Sequence, residues 1–588
     1  MKKGLSWKHL FLLLVVALIP LAINAIWGGR KGYVMQLAVM CLLYMVWTSS
    51  FNIVSGFIGW FSLGHSVYIG LGAYISGILF TYMGITPWFG MLIGGLIAGI
   101  IAVMVGYPTF RLKGSYYTLS TVALVNVFRI IFLNEDSIFG FPTNGAMGIK
   151  MPWEGNIASM QHLDKTFYFY IVLGLLVIVL LVSNYINNSK TGYYFAAIKT
   201  NQGAAATLGV DVTSYKLRAQ FLSAFFAAVS GAIYGQMLQF IEPASFFSND
   251  LSTQIAVMAI VGGVGTLWGP VVGALILYPV SEVIRSSIGS SLPGLSLVIY
   301  GLVLMLVIYF HAPRHYWLSQ EICPCGFSVK SAERRSPMSS SDLLKNPIIL
   351  QTENVVKQFG GLVAVDNISI ELHEGEILGL IGANGAGKTT LFNMISGSFR
   401  PTSGKILFNG IRIDKLPPNK ICKLGLGRTY QIVQPFLNLT VLENTMVGAL
   451  LRNSSVKEAR KKAEEILEFV GLSNRKDVVG GALNIPELKR MEVARALATE
   501  PKVLLLDEVM AGLNPTESEQ VIELVRNIRE NGTTIVIIEH VMKAIMNLSD
   551  RIYVLNQGKL IATGTPSEIT QNSEVIKSYL GEKSYAKG

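Results

Sequence analysis

Residues 376–395 read Glu376-Ile-Leu-Gly-Leu-Ile381, then Gly382-Ala-Asn-Gly-Ala-Gly-Lys388-Thr389-Thr390, then Leu391-Phe-Asn-Met-Ile395. An apolar strand that enters a glycine-rich loop and leaves as a helix is the context in which a P-loop binds nucleotide phosphates. Backbone N–H groups of the loop surround the phosphates, Lys388 neutralises the β- and γ-phosphates, and the Thr389 hydroxyl ligates Mg²⁺. We therefore predict an α/β P-loop domain in which ATP is bound by Gly382, Ala383, Asn384, Gly385, Ala386, Gly387, Lys388, Thr389 and Thr390.

Two further strand ends downstream carry ionisable groups. Val503-Leu-Leu-Leu506 ends in Asp507 and Glu508, and Thr533-Thr-Ile-Val-Ile-Ile538 ends in Glu539 and His540. A carboxylate at such a strand end can hold the Mg²⁺ shell, and the next one can polarise the attacking water. A histidine at the end of a neighbouring strand can reach the γ-phosphate. An apolar strand that ends in acids is common in α/β domains, so these residues gain their weight from the P-loop.

Charge is distributed unevenly along the 588 residues. Only 14% of the residues are charged, against roughly 25% in soluble proteins, and the stretch between Lys31 and Arg111 contains no Asp, Glu, Lys or Arg. We therefore predict a membrane region followed by a soluble domain. The net charge of +11 does not form a basic stripe, so we expect no nucleic-acid partner.

The first half contains recurrent apolar stretches that are long enough to cross a bilayer. Its glycines, including Gly56, Gly59 and Gly72, indicate close helix packing or broken helices around a pathway. We predict a polytopic permease domain over residues 1–311, a cytoplasmic linker over 312–347 and the ATPase over 348–588. About ten membrane helices are expected, near Leu10–Ile26, Val34–Trp47, Phe51–Leu79 (broken), Trp88–Tyr107, Tyr116–Leu133, Phe167–Tyr185, Leu217–Phe240, Ile255–Trp268, Val271–Val283 and Leu295–Phe310.

Loop charges predict the orientation in the membrane. Residues 189–218 carry four basic side chains against Asp211 alone, which is typical of a cytoplasmic loop, whereas residues 240–251 carry only acidic ones. We expect a multi-pass protein of the cytoplasmic (inner) membrane, with loops 134–165 and 240–251 outside. Apart from tyrosines and Cys41, His65 is the one ionisable group in the charge-free stretch; it is either functional or a neutral histidine bonded to a backbone carbonyl at a helix break.

In this order and spacing, the P-loop, the acidic strand end and the strand-end histidine resemble the nucleotide-binding domain of ABC transporters over essentially all of residues 348–588. The resemblance implies that Phe359 stacks on adenine. It implies that Gln431, in Arg428-Thr-Tyr-Gln431, senses Mg²⁺, the attacking water and the permease. Asp507 then binds the metal, Glu508 is the catalytic base and His540 contacts the γ-phosphate, with ATP and Mg²⁺ as cofactors.

Motifs in both halves are similar to those of branched-chain amino-acid importers. The resemblance implies import of these amino acids, together with a second permease subunit, a second ATPase subunit and an extracytoplasmic solute-binding protein. Urea, short amides and other amino acids remain alternative substrates, while an exporter or a non-transport ATPase is less favoured. The motifs are Gly59-Trp-Phe-Ser-Leu-Gly-His65, Ala204-Ala-Ala-Thr-Leu-Gly-Val-Asp211, Gly262-Gly-Val-Gly-Thr-Leu-Trp-Gly269, Phe359-Gly-Gly-Leu-Val-Ala-Val365, Ala511-Gly-Leu-Asn-Pro515 and Gly564-Thr-Pro-Ser-Glu568.

The chain departs from that family at its signature. The usual Leu-Ser-Gly-Gly-Gln corresponds to Leu483-Asn-Ile-Pro-Glu487, in which Pro486 has no N–H donor and Glu487 places a like charge near phosphate. Asn484 could still donate a hydrogen bond, and Asn514 stands where many ABC domains have an aspartate. A homodimer would hold two weakened sites, so we expect a heteromeric transporter. We also expect residues 189–216 to dock beside the loop of Gln431 and to couple hydrolysis to gating.

Overall fold

A computed structural model describes residues 16–26, 31–112, 114–288, 301, 305 and 346–580. The chain divides into two compact units, one of residues 1–195 and 213–322 and the other of residues 196–212 and 323–588. The predicted linker 312–347 lies outside the described residues except at its last two positions. The first predicted span is described only from residue 16, and the last, Leu295–Phe310, only at residues 301 and 305.

The described part of residues 16–288 is mainly helical. Short strand pairs and a single 3₁₀ turn, Gly145–Met147, occupy its loops. The strands are β1 (Ser137–Ile138), β2 (Phe141–Pro142), β3 (Ile149–Lys150) and β4 (Phe240–Ile241). The helices are α1 (Ile19–Ile26), α2 (Lys31–Phe51), α3 (His65–Met83), α4 (Pro87–Thr109), α5 (Ser115–Asn134), α6 (Thr166–Asn188), α7 (Lys190–Thr200), α8 (Gln202–Thr207), α9 (Val212–Leu238), α10 (Pro243–Phe246), α11 (Asn249–Gly263) and α12 (Gly269–Ile288).

Six helical runs among the described residues are long and apolar enough to cross a membrane: Gly32–Ile58, His65–Met83, Pro87–Thr109, Ser115–Asn134, Thr166–Asn188 and Val212–Leu238. The span predicted at Ile255–Trp268 is wrong at its end, because α11 stops at Gly263. Gly263 and Gly265 adopt φ of 108° and 89°, a left-handed conformation that ends a helix and suits glycine. The total of about ten spans stays a prediction.

The helix break expected within Phe51–Leu79 is present, but the boundary predicted between Trp47 and Phe51 is wrong. Helix α2 continues into a π-helical run, Asn52–Ile58, and the chain leaves the helical conformation at residues 59–64. The Asn52 side chain explains the extension, because it donates to the Thr266 carbonyl at 2.8 Å and accepts from the Gly265 N–H at 2.7 Å. π-helical runs are rare and occur frequently at functional sites.

Helices α3 and α9 meet backbone to backbone in the first unit. A Cβ atom added at Gly72 would lie 2.0 Å from the Ala228 carbonyl oxygen, and one added at Gly231 would lie 2.1 Å from that of Ile69. Only glycine permits this approach, as expected for close packing in a membrane. Strands β3 and β4 pair antiparallel and thereby join the two loops that were predicted to be outside.

His65 is buried at the first turn of α3, with 1% of its surface exposed. Its Nε2 lies 2.8 Å from the Ser223 Oγ, which itself donates to the Ser50 carbonyl at 2.7 Å. Because the hydroxyl has a single proton, His65 must donate through Nε2. The alternative in which His65 bonds directly to a backbone carbonyl is therefore wrong, because the Ser223 hydroxyl lies between His65 and the Ser50 carbonyl.

The ATPase part contains two sheets with helices around them. The strands are β5 (Ile348–Phe359), β6 (Leu362–His373), β7 (Ile377–Gly382), β8 (Ser403–Phe408), β9 (Ile411–Arg412), β10 (Leu426–Arg428), β11 (Val503–Asp507), β12 (Thr534–Ile538), β13 (Arg551–Asn556) and β14 (Lys559–Gly564). The helices are α13 (Lys388–Ile395), α14 (Pro418–Leu424), α15 (Val441–Ala449), α16 (Val456–Phe469), α17 (Ile485–Leu497), α18 (Pro515–Glu530), α19 (Met542–Leu548), α20 (Pro566–Gln571) and α21 (Ser573–Leu580), with 3₁₀ turns at Ser473–Arg475 and Gly480–Ala482.

The larger sheet has the order β10-β11-β12-β7-β13-β14 and is parallel except for the β13–β14 pair. Every residue of β7, β11 and β12 is buried, which explains why these strands are continuous apolar runs. An antiparallel sheet of order β6-β5-β8-β9 packs on the same core. Because β12 lies between β7 and β11, the P-loop, His540 and Asp507 all lie at the carboxyl ends of neighbouring strands.

Candidate functional site: the nucleotide-binding edge of the ATPase

The P-loop forms at the carboxyl end of β7 and leads directly into α13. A Cβ atom added at Gly382 would lie 2.3 Å from the Leu555 carbonyl oxygen, and Gly387 adopts a φ of 96° immediately before the helix. Lys388 donates from Nζ to the carbonyls of Gly382 at 2.7 Å and Ala383 at 3.0 Å. Burial lowers the pKa of Lys388, while the charges of Glu508 and Asp507 oppose the shift. The predicted phosphate-binding lysine is thus close to both predicted carboxylates.

Asp507 is fully buried at the end of β11. Arg428 donates from a guanidinium nitrogen to its Oδ2 at 3.2 Å, and the same guanidinium also contacts Asn393 and Ser396. Burial raises the pKa of Asp507, and Arg428 counteracts that shift. The other carboxylate oxygen, Oδ1, is buried without a hydrogen-bond partner among the described residues. An oxygen left unpaired in this way is suited to a ligand such as Mg²⁺.

Within the described residues, no cluster of three or more His, Cys, Asp or Glu side chains could hold a metal by itself. Mg²⁺ commonly binds through one or two carboxylates together with substrate phosphates and water. Asp507, with the hydroxyl of Thr389 and the amide of Gln431, fits that donor set. The residues present therefore fit a nucleotide-bound Mg²⁺.

Two of the predicted catalytic residues, Gln431 and His540, bond to the third, Glu508. Gln431 donates from Nε2 to the Glu508 Oε2 at 2.8 Å, and His540 Nε2 lies 2.8 Å from Oε1. The Glu508 side chain is 10% exposed, whereas that of His540 is 43% exposed. Glu508 adopts a φ of 49°, a left-handed conformation that costs a non-glycine residue roughly 1–2 kcal/mol. Strain at such a position is common where a catalytic group is held in place.

Phe359 lies at the end of β5, and 43% of its surface is exposed. Its ring packs edge-on against Phe399, with 5.6 Å between the ring centroids, and the Lys357 ammonium lies 5.0 Å from its centroid. The exposed aromatic surface is compatible with base stacking. Its contact with adenine stays a prediction.

The signature segment Leu483–Glu487 begins helix α17 with a capping box. The Glu487 N–H donates to the Asn484 Oδ1 at 2.9 Å, and the Asn484 N–H donates to the Glu487 carboxylate at 3.1 Å. Pro486 occupies the first turn, where its missing N–H has no helical partner to lose. Arg475 Nε lies 2.9 Å from the Glu487 Oε1. The expected like charge at Glu487 is therefore balanced by an arginine and by the helix N-terminus.

Residues 196–212 belong to the same compact unit as the ATPase. Asn201 donates from Nδ2 to the Gln434 Oε1 at 2.9 Å, and the Tyr430 hydroxyl donates to the Thr207 hydroxyl at 3.3 Å. Tyr430 is the neighbour of Gln431. The expected contact beside the loop of Gln431 is present, and its part in coupling stays a prediction.

The predicted site residues include neither Arg428 nor two further buried cations of this edge. Lys489 donates to the carbonyls of Gln431 and Glu508, and Arg495 donates to the carbonyl of Gln434 at 2.7 Å. Their backbone partners lie far away in sequence, so no motif could identify them. The one available signal was their place in Lys489-Arg-Met-Glu-Val-Ala-Arg495, a charged helical run whose face is nevertheless buried.

Three sequence families match this chain. Residues 33–308 match the family described as the permease component of branched-chain amino acid transport systems. Residues 365–511 match the ABC transporter family, and residues 559–584 match the family described as branched-chain amino acid ATP-binding cassette transporter. Matches to a permease family and to ATP-binding families therefore occur in one chain.

The similar proteins include separate ATP-binding subunits. The high-affinity branched-chain amino acid transport ATP-binding protein LivG of Escherichia coli is 42% identical over 250 residues, which are 40% of this chain and 98% of LivG. The high-affinity branched-chain amino acid transport ATP-binding protein BraF of Pseudomonas aeruginosa is 38% identical over 250 residues, which are 40% of this chain and 98% of BraF. The lipopolysaccharide export system ATP-binding protein LptB of Haemophilus influenzae is 37% identical over 236 residues, covering 40% of this chain and 98% of LptB. Because the ATPase half resembles subunits with different cargo, the match over residues 33–308 carries more information about the substrate.

Proposed function

This chain belongs to the family of branched-chain amino-acid ABC transporters, and on that premise we propose that it imports branched-chain amino acids across the cytoplasmic membrane. It joins a multi-pass permease to a cytoplasmic ATPase whose hydrolysis is coupled to transport. The permease occupies residues 1–311, the linker 312–347 and the ATPase 348–588. One observation carries the proposal: the permease match and a Glu508 carboxylate bonded to Gln431 and His540 occur in the same chain.

ATP would bind with its phosphates in the P-loop and its base against Phe359. Lys388 would exchange its bonds to the Gly382 and Ala383 carbonyls for bonds to phosphate oxygens, whose negative charge attracts an ammonium more strongly than a neutral carbonyl does. Mg²⁺ would be held by Thr389, Asp507 and Gln431, and when bound it neutralises charge on the β- and γ-phosphates. The unpaired Asp507 Oδ1 supports this assignment.

Glu508 would accept a proton from the attacking water, while Gln431 and His540 hold its carboxylate. Both partners lie at 2.8 Å, so each carboxylate oxygen has a fixed direction. In the charged form His540 would also stabilise negative charge at the γ-phosphate. These roles explain why Gln431, Glu508 and His540 meet at the carboxyl edge of the larger sheet.

Transport would follow from closure of two ATPase domains around ATP. Closure would turn the pathway outward towards a loaded solute-binding protein, and hydrolysis at Glu508 would reset it. Residues 196–212 would transmit the change, because Asn201 and Thr207 bond to the segment that contains Gln431.

We assign the chain to a heteromeric complex with a second permease and a second ATPase. In a nucleotide sandwich, the signature segment of one subunit covers the ATP of the other. Glu487 and Asn484 of this chain already bond to each other, and Glu487 is also paired with Arg475. A partner subunit with an unaltered signature would complete the site of Lys388 and Glu508.

The proposal is tested by uptake of labelled leucine in the source cells. Wild type, a deletion strain, and the deletion strain carrying either the intact chain or its Lys388→Ala variant are compared. Uptake that is lost on deletion and restored only by the intact chain supports an ATP-driven branched-chain importer. Unchanged leucine uptake in the deletion strain contradicts the substrate assignment, and urea and short amides are then measured in the same strains.

A further inference from the structure

Lys489 lies one turn into helix α17, two residues after the signature segment, and its surface is 6% exposed. Its ammonium donates to the Gln431 carbonyl at 2.9 Å and to the Glu508 carbonyl at 2.8 Å. These two residues also bond through their side chains, Gln431 Nε2 to Glu508 Oε2. Lys489 therefore closes a ring that fixes the backbone as well as the side chains of the proposed catalytic pair.

The backbone of Glu508 needs such a partner. With a φ of 49° this residue is in a conformation that side chains other than glycine disfavour. Three hydrogen bonds hold its peptide groups: its N–H donates to the Ile538 carbonyl at 2.9 Å, and its carbonyl accepts from Lys489 at 2.8 Å and from the Ala511 N–H at 3.3 Å. A charged donor forms the stronger of these two kinds of bond. Loss of Lys489 would leave the Glu508 carbonyl with only the longer bond from the Ala511 N–H and would let the carboxylate change direction.

A lysine that only balanced nearby acids would be expected to bond to their carboxylates. Glu539, Glu508, Glu492 and Asp507 do counteract the lowering of the Lys489 pKa that burial causes. The hydrogen bonds of Lys489 nevertheless go to carbonyls, and the nearby Glu539 carboxylate accepts from the Met510 N–H. The geometry thus favours a role in fixing the backbone.

Arg495, farther along the same helix, makes a second attachment to the segment of Gln431. Its guanidinium donates to the Gln434 carbonyl at 2.7 Å and stacks on Phe436, 4.3 Å from the ring centroid. Helix α17 therefore bonds to both ends of segment 431–434, through Lys489 at Gln431 and through Arg495 at Gln434. A displacement of the helix start, where the signature segment lies, would be transmitted to Gln431 and Glu508 together.

We propose that Lys489 is a positioning residue for hydrolysis, which ties the carbonyls of Gln431 and Glu508 to the helix that begins at the signature segment. Through it, contact of the signature segment with a partner subunit adjusts the catalytic carboxylate of this chain. The inference rests on the proposed role of Glu508 as the base.

ATP hydrolysis by the purified transporter complex in proteoliposomes tests the inference. The variants are Lys489→Met, Lys489→Arg, Glu508→Gln and Lys462→Met, the last a matched control whose ammonium lies 3.9 Å from Glu465 on the surface of α16. Lys489→Met is expected to lower kcat about 10- to 100-fold, as expected for lost bonds to a charged donor, with KM for ATP within about threefold of wild type. Lys489→Arg, which keeps charge and donors, is expected to recover most of kcat.

The outcomes separate this inference from the proposed function. Substantial hydrolysis by Glu508→Gln overturns the role of Glu508 itself. An inactive Glu508→Gln beside a Lys489→Met that behaves like Lys462→Met overturns only the role of Lys489. Equal losses in Lys489→Met and Lys489→Arg, with a raised KM, indicate a general structural role and also overturn it. If Lys489→Met does not assemble, Lys489→Gln, which keeps one donor, is expected to give an intermediate kcat, and a wild-type kcat contradicts the proposal.

Discussion

The edge of the P-loop and Glu508 differs in its energetics from the signature segment Leu483–Glu487, although both belong to one ATPase. At the P-loop edge, Asp507 keeps an unpaired buried oxygen, Glu508 has a left-handed backbone and Lys388 is buried. In the signature segment, by contrast, a capping box pairs the Asn484 N–H and Oδ1 with Glu487, and Arg475 forms an ion pair with the Glu487 carboxylate. An unpaired carboxylate oxygen and a left-handed backbone therefore occur at the edge that would bind the nucleotide, whereas Asn484 and Glu487 bond to each other and Glu487 forms an ion pair with Arg475.

The two regions therefore have different expected functions. A site that is poised to bind a nucleotide gives up some stability before the ligand arrives. A segment whose polar groups already bond to one another gains less from an additional phosphate, because its own bonds must first be broken. We therefore expect the first region to carry hydrolysis and the second to contribute mainly to the stability of helix α17.

The largest expected effect is that of Glu508→Gln. The amide cannot accept a proton, so ATP hydrolysis by the complex should fall on the order of 100- to 10,000-fold, the usual contribution of a general base. ATP binding should persist, and radiolabelled ATP should remain bound through gel filtration. A variant that hydrolyses ATP within threefold of wild type would show that the chain's own strand edge is not the active one.

Lys388→Ala should affect binding rather than only turnover. Loss of a charge-assisted contact to phosphate should weaken ATP affinity about 10- to 100-fold. Titration with a fluorescent ATP analogue measures this affinity in the purified complex, with Lys462→Met as a control of unchanged affinity. Wild-type affinity in Lys388→Ala would contradict the assignment of ATP binding to the P-loop.

Restoring the usual signature residues tests the role of the signature segment directly. Glu508→Gln silences this chain's site, so the residual hydrolysis comes from the partner ATPase that the signature segment covers. Adding Pro486→Gly and Glu487→Gln restores an N–H donor and removes the charge. We expect the residual rate to rise about 2- to 10-fold, the value of one neutral hydrogen bond. An unchanged residual rate would mean that the altered signature does not cause the asymmetry.

Much of the ATPase fold follows from its sequence. Strands β7, β11 and β12 are buried at every position, so each can be recognised as a continuous apolar run. The site residues can then be recognised at the carboxyl ends of these runs. The membrane half was less readable. The extension of α2 into Asn52–Ile58 depends on contacts of Asn52 with Gly265 and Thr266, more than 200 residues away, which no local pattern contains.

The candidate site shows the same limit. Gln431, Glu508 and His540 belong to recognisable motifs, and they converge because they follow the adjacent strands β10, β11 and β12. Lys489 and Arg495 bond to backbone carbonyls, which every residue has, so the sequence does not indicate which carbonyls they bind. The pairing of Glu487 with Arg475 likewise depends on the turn Ser473–Arg475 approaching helix α17.

The smallest effect concerns stability alone. Asn484→Ala removes the cap of α17 and should destabilise the ATPase by about 1 kcal/mol, seen as a lowering of its Tm by about 2–4 °C in the solubilised complex. Thr440→Ala removes the equivalent capping box of α15 and should give a similar shift, which makes it a matched control. ATP affinity at this chain's P-loop should be unchanged in both variants, because neither cap contacts that edge. If Asn484→Ala instead left Tm unchanged and weakened the partner's residual hydrolysis in the Glu508→Gln background, Asn484 would serve nucleotide binding rather than helix stability, and the contrast between the two regions would not hold.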